Sequence, residues 1–334
     1  MNDSASASGR CLCGAVRFEV ARMPREIGAC HCGMCRRWSG GGPLLGGISD
    51  APVAITVGEA LQWYAASSWG ERGFCFECGG SLFWRQKGAA AGWLVCIAAL
   101  PDSADAAAGE STAPQLAQHI FIDDKPAYYA FADAAPRLTG AEFTAAVVAK
   151  MPAAKRAFVK TFIALESVKK RLRPRPAAAA DGERRGACLC GGVKFSLPQA
   201  GVDAGNAGMC HCGQCRRWGG GAGVVCVDTP GAMLESADTL RWYRTSKQSE
   251  RGFCARCGTP LFWREAAGGD GAISEVCAGA LQDDRGITVS RHIYVDDKPA
   301  YYDLAGDAER LTGAEYENRV AGEKRDAGPA ARSP

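Results

Sequence analysis

Apolar residues along this chain come in short bursts. VRFEV (16–20), LQWY (61–64), SLFW (81–84), WLVCI (93–97) and HIFI (119–122) are rich in β-branched and aromatic residues, and Gly, Asp and Pro separate them. Runs of this length between turn formers predict strands. Helical spacing over a longer stretch appears at 141–172, where Ala and Lys recur and Pro152 breaks or starts a helix. RLRPRPAAAADGERR (171–185) then reads as a basic Pro/Ala/Arg linker. The pattern predicts a mainly β chain: antiparallel β units, with helix mainly in a linker.

The pattern is written twice. CLCGAVRFEV (11–20) recurs as CLCGGVKFSL (188–197), and CHCGMCRRWSGGG (30–42) recurs as CHCGQCRRWGGGA (210–222). LQWYAASSWGERGFCFECGGSLFWR (61–85) recurs as LRWYRTSKQSERGFCARCGTPLFWR (240–264). HIFIDDKPAYY (119–129) returns as HIYVDDKPAYY (292–302), and RLTGAEF (137–143) as RLTGAEY (310–316). Length changes fall between the motifs, mostly at 21–29 and 86–118, as surface loops allow. Each unit has a comfortable domain size. The predicted organisation is a first domain at 9–143, a helical basic linker at 144–185, a second domain at 186–318 and a polar, disordered tail at 319–334.

Composition changes this picture mainly through cysteine. A hydrophobic content of 47% is ordinary, and a net charge of +3 gives no argument for a polyanionic partner. MNDSASASGR lacks the apolar core of a secretory signal, and no window approaches the ~18 apolar residues of a membrane span. A soluble, cytoplasmic protein is the expectation. Seventeen cysteines are many for such a chain. Without a signal peptide, and clustered as CxC and CxxC, they read as metal ligands rather than disulfides.

Each unit carries seven clustered cysteines: Cys11, Cys13, Cys30, Cys32, Cys35, Cys75 and Cys78, then Cys188, Cys190, Cys210, Cys212, Cys215, Cys254 and Cys257. Seven ligands make one closed four-sulfur zinc site and one site with an open position. Spacing permits two partitions. Cys32 and Cys35 pair with Cys75 and Cys78, leaving Cys11, Cys13 and Cys30; or Cys11 and Cys13 pair with Cys75 and Cys78, leaving Cys30, Cys32 and Cys35. The second is favoured, because three thiolates within six residues converge from a single loop. Cys96, Cys226 and Cys277 stand alone in apolar segments and read as buried core thiols.

G-x-C-x-C-G-x-V-x-F, C-H-C-x-x-C-R-x-W, R-G-F-C-x-x-C-G-x-x-L-F-W and H-I-F/Y together resemble the glutathione-dependent formaldehyde-activating enzyme (GFA) family, over about 9–143 and 186–316. The tandem arrangement departs from the single domain typical of that family. The resemblance implies two zinc-containing β-tent domains and a carbon–sulfur lyase-type activity that joins glutathione to formaldehyde as S-hydroxymethylglutathione. It implies a structural zinc on Cys11, Cys13, Cys75 and Cys78 and a catalytic zinc on Cys30, Cys32 and Cys35. In the second unit the matching sets are Cys188, Cys190, Cys254 and Cys257, and Cys210, Cys212 and Cys215. That makes two zinc ions per domain and four per chain, with glutathione as cosubstrate and a small thiol and aldehyde as partners.

Around the open site, Arg36, Trp38, Arg216 and Trp218 are the candidate glutathione-binding residues. Each arginine offsets the thiolate charge, grips a substrate carboxylate, or makes an ordinary ion pair. Each tryptophan walls the pocket or packs in the core. His31 and His211 point away from the metal, and His119 and His292 are hydrogen-bonded strand histidines. Ser67, Arg72, Ser246 and Arg251 support the zinc ligands. The competing reading is a non-catalytic zinc scaffold or a nucleic-acid-binding module using the basic linker. It ranks second because the sequence lacks interleaved basic and aromatic residues.

Overall fold

A computed structural model describes residues 6–101, 113–161 except 154, 158 and 160, then 182–198, 207–229, 231–266 and 272–326. Most of the predicted linker therefore lies outside the described residues.

Each half is two β-layers. In the first, strands Ala7–Arg10, Arg17–Val20 and Ala54–Val57 form a three-stranded sheet. It packs against an eight-stranded sheet. From one edge this sheet runs Arg137–Leu138, Gln115–Ile120, Glu26–Cys30, Leu44–Ser49, Trp93–Cys96, Ser81–Gln86, Gly70–Cys75 and Leu61–Ala65. Alternation decides which side chains meet. Phe18 of the small sheet and Phe83 of the large one are both fully buried, with rings edge to face at 4.7 Å. Phe195 and Phe262 repeat the contact at 5.0 Å.

The sheets are not wholly antiparallel, as the strand text had suggested. Gln115–Ile120 runs parallel to Glu26–Cys30 on one side and to Arg137–Leu138 on the other. The long excursion between Cys30 and Gln115 supplies the crossover that a parallel pair needs, which local periodicity does not reveal.

Helix boundaries also shift. One helix begins at Gly140, inside the predicted first domain, where Thr139 and Glu142 form a capping box. Glu183–Ala187 is a strand paired with Lys194–Pro198, so the second unit starts inside the predicted linker. The predicted tail is helical as far as it is described: Gly313–Asp326 is one helix, anchored by Arg319 on Glu309 at 2.7 Å and by Tyr316 beside Tyr294. Its polarity had suggested disorder, but a cap and one docked face are enough to hold a short polar helix.

The halves meet across a pseudo-two-fold axis. Gly41 bridges Val224, and Leu44 bridges Gly221. Ala130–Phe131 pairs antiparallel with Leu304–Ala305. A Cβ on Gly79 would sit 2.4 Å from the Phe253 ring, and one on Gly258 would sit 2.5 Å from Phe74. Equivalent positions contact one another reciprocally, as in an isologous dimer interface. One apolar cluster runs from Phe18 and Leu82 through to Phe195 and Leu261. Among the described residues no helix is long and apolar enough to cross a membrane.

Candidate metal centres and the sheet face beside them

The cysteines gather as the favoured partition expects. Cys11, Cys13, Cys75 and Cys78 form one cluster and Cys188, Cys190, Cys254 and Cys257 another, with the sulfurs of each within 4.8 Å of one another. Cys11 and Cys13 Sγ are 3.5 Å apart and Cys13 and Cys75 Sγ 3.7 Å. In the second half the corresponding distances are 3.5 and 3.6 Å. A disulfide would bring sulfurs to about 2 Å. Four thiolates around zinc at about 2.3 Å stand about 3.8 Å apart by tetrahedral geometry. The donor set thus fits a closed four-sulfur metal site.

Cys30, Cys32 and Cys35 form a three-sulfur cluster, as do Cys210, Cys212 and Cys215. Among the described residues no fourth Cys, His, Asp or Glu joins either group. The local fold explains the convergence. Cys30 ends strand Glu26–Cys30, and Cys32 caps the short helix Gly33–Trp38, accepting from the Cys35 N–H at 3.4 Å. One helical turn then returns Cys35 to its partners. Cys212 caps Gly213–Gly219 in the same way.

A buried guanidinium covers each cluster. Arg72 is 2% exposed and donates from Nη2 to Cys35 Sγ at 3.3 Å, while its Nε and Nη1 find no hydrogen-bond partner among the described residues. Arg251 Nη2 donates to Cys215 Sγ at 3.2 Å. Hydrogen bonds from Cys30 and Cys32, and then the Arg72 charge, hold the Cys35 thiol well below its ordinary range. A buried cation facing three sulfurs calls for negative charge there, which metal-bound thiolates supply.

The histidines stay off the sulfurs. His31 Nδ1 lies 2.8 Å from the Tyr129 hydroxyl and Nε2 lies 2.9 Å from His119 Nδ1; His119 Nε2 lies 3.1 Å from Asp133. His211, Tyr302 and His292 repeat the chain at 2.8 and 3.0 Å. Burial holds His31 and His211 down to about 3 and His292 to about 4, so the imidazoles are neutral. These buried chains brace the backbone between Cys30 and Cys32, and between Cys210 and Cys212.

Other candidates sit elsewhere than at an open mouth. Trp38 and Trp218 are 0% and 1% exposed, and Trp38 Nε1 donates to the Cys257 carbonyl across the interface. Arg36 donates to the His31 carbonyl and pairs with Asp284 at 2.9 Å; Arg216 donates to the His211 and Asp297 carbonyls. Ser67 accepts from the Gly70 N–H, shaping a turn rather than a ligand. Cys96 and Cys277 are fully buried, but Cys226 is half-buried beside the Cys215 cluster, with its sulfur 3.9 Å from that of Cys277.

Sequence reading missed the sheet face beside each cluster. Cross-strand register sets Tyr64, Arg72, Trp84, Leu94 and Ile48 in a row across five strands. In the second half the row is Tyr243, Arg251, Trp263, Glu275 and Asp228. Leu94 packs on the cluster containing Cys35 and Cys96. Burial, with Asp228 adding to it, pushes the Glu275 carboxyl up to about 7. Arg291 Nη2 donates to Asp228 at 2.7 Å. Aligning the two repeats position by position would have exposed this difference.

The family model described as glutathione-dependent formaldehyde-activating enzyme matches residues 6–124 and again 183–297. An uncharacterized lyase of Schizosaccharomyces pombe is 28% identical over 140 residues, 42% of this chain and 96% of the relative. A candidate glutathione-dependent formaldehyde-activating enzyme of Halomonas elongata is 39% identical over 83 residues, 22% of this chain and 53% of that protein. With the model matched twice over paired cysteine clusters, the chain is a tandem member of the glutathione-dependent formaldehyde-activating enzyme family, an enzyme of carbon–sulfur lyase type.

Proposed function

We propose that the chain is a zinc-dependent enzyme that handles a thiol–aldehyde adduct such as S-hydroxymethylglutathione, with glutathione as cosubstrate. The observation that carries this reading is the pairing, in each half, of a complete four-cysteine cluster with a three-cysteine cluster under a buried arginine. Cys11, Cys13, Cys75 and Cys78, with Cys188, Cys190, Cys254 and Cys257, would hold structural zinc. Cys30, Cys32 and Cys35, with Cys210, Cys212 and Cys215, would hold the zinc at which chemistry occurs, making four ions per chain. Held there by the three cysteines, zinc would lower the pKa of a substrate thiol and keep it deprotonated near the aldehyde.

The chain's own residues shape the rest. Arg72 and Arg251 offset the charge of three thiolates, which favours adding a fourth sulfur. His31 and His211, neutral and tied to His119 and His292, hold the ligand loop rigid without competing for metal. Of the candidate contacts to glutathione, Arg36 keeps a partly exposed edge, while Trp38, Trp218 and Arg216 are buried and would act by shaping the site from behind.

Metal analysis with glutathione titration tests this reading. Four zinc ions per chain, two of them altered by thiol, with faster adduct formation from glutathione and a small aldehyde, are expected. Full zinc with neither thiol binding nor rate change would overturn it. A salt-dependent nucleic-acid shift in that case would favour the scaffold or nucleic-acid reading.

A further inference from the structure

The two three-cysteine centres share their ligands, arginine and histidine chain, yet the walls around them differ in one direction. In the sheet row, Ile48 and Leu94 of the first half stand where the second has Asp228 and Glu275. Trp69, edge to face with Trp84 at 5.4 Å, occurs where the repeat has Gln248. On the opposite wall Phe121 and Phe143, with ring centroids 5.8 Å apart, become Tyr294 and Tyr316. Tyr294 follows Ile293, the strand partner of Cys210, and Arg291 of the same strand donates to Asp228, so the strand that leads into Tyr294 runs beside both the cysteine and the acidic row. Five matched positions change from apolar to hydrogen-bonding, and none of these five changes the other way.

The first wall leaves apolar surface in water: Ile48 is 52% exposed and Trp69 50%. Apolar surface beside a reactive centre is stabilised by an apolar ligand group. The second wall offers carboxylates and phenol groups, and an alkyl chain there would desolvate them without returning a hydrogen bond. A hydroxyl can hydrogen-bond to these groups alongside the partners they already have, such as Arg291 on Asp228.

We propose that the two centres take different carbonyl partners: the first an aldehyde with an alkyl or aromatic substituent, the second an aldehyde with a hydroxylated substituent. This rests on the thiol–aldehyde reading of the centres. Ile48, Leu94 and Trp69 determine specificity in one, and Asp228 and Glu275 in the other.

The test uses the metal-loaded full chain with one centre removed at a time, by C32S/C35S or by C212S/C215S, both of which leave the four-cysteine clusters intact. Glutathione turnover is compared with hexanal and with glycolaldehyde. Binding of the unreactive mimics S-hexylglutathione and S-(2-hydroxyethyl)glutathione is read by saturation-transfer NMR. The chain retaining the first centre is expected to prefer the hexyl partner, and the chain retaining the second the hydroxylated one, their selectivity ratios differing by roughly tenfold or more. I48D/L94E and D228I/E275L should each move a ratio toward the other; the single-centre chains carry the test where a wall variant fails to fold. Equal ratios in both single-centre chains overturn the proposal and leave the activity standing. Selective mimic binding without turnover of any aldehyde overturns the activity and supports the difference between the walls.

Discussion

Arg72 shows how much one residue sets. Its guanidinium is buried and donates to Cys35 Sγ at 3.3 Å. Arg72→Gln keeps much of the volume and removes the charge. Metal affinity at Cys30, Cys32 and Cys35 should fall about 10–100-fold, the range for groups that support metal ligands. The clusters with four cysteines should be unaffected, and a chelator competition resolving two classes of metal checks both points. His292 makes a second case. Its pKa is lowered from 6.5 to about 4, first by burial. As pH falls the unfolded chain takes up this proton first, so the stabilisation is present above about 6.5 and is lost as pH falls toward 4. His292→Asn should reduce the slope of stability against pH in that window by about one proton, or about 1.4 kcal/mol per pH unit. Urea midpoints measured between those limits check it.

Among elements, the turn after each CxxC strand carries the most consequence. Gly79 has φ +73° and lies against Phe253 of the other half. Gly79→Ala meets both a disfavoured backbone and an aromatic ring, and should destabilise the chain by about 1–3 kcal/mol in denaturant unfolding. The strands at Arg17–Val20, Leu61–Ala65, Ser81–Gln86 and Trp93–Cys96 were legible because bursts of β-branched and aromatic residues mark them directly, whereas Glu26–Cys30, Leu44–Ser49 and Gly70–Cys75, rich in Gly and Cys, were not. The helix starts at Gly140 and Gly313 went unread in LTGAE, although its Thr and Glu form a capping arrangement at each. The parallel pairing of Gln115–Ile120 was not legible either, since pairing direction depends on a crossover far away in sequence.

The whole molecule behaves as a dimer written in one chain. Trp38 donates to Cys257, Arg36 pairs with Asp284, and Phe74 and Phe253 each lie against the other half's glycine turn. Separated halves would expose these surfaces. A fragment of residues 183–326 should therefore either self-associate through the vacated face or lose cooperative unfolding, which sedimentation and thermal melts would distinguish from a stable monomer.

The sequence by itself determined the duplication, the β character and the fourteen clustered cysteines, and favoured one of two ways of grouping them. These are local properties: motif spacing fixes which sulfurs a single turn can bring together. Tertiary structure decided what spacing cannot express. It turned Trp38 and Arg36 toward the other half, set neutral histidines behind the three-cysteine loop, and laid Leu94 and Ile48, or Glu275 and Asp228, beside the three cysteines. Those placements depend on register between strands distant in sequence, and register is settled by which face the whole sheet buries.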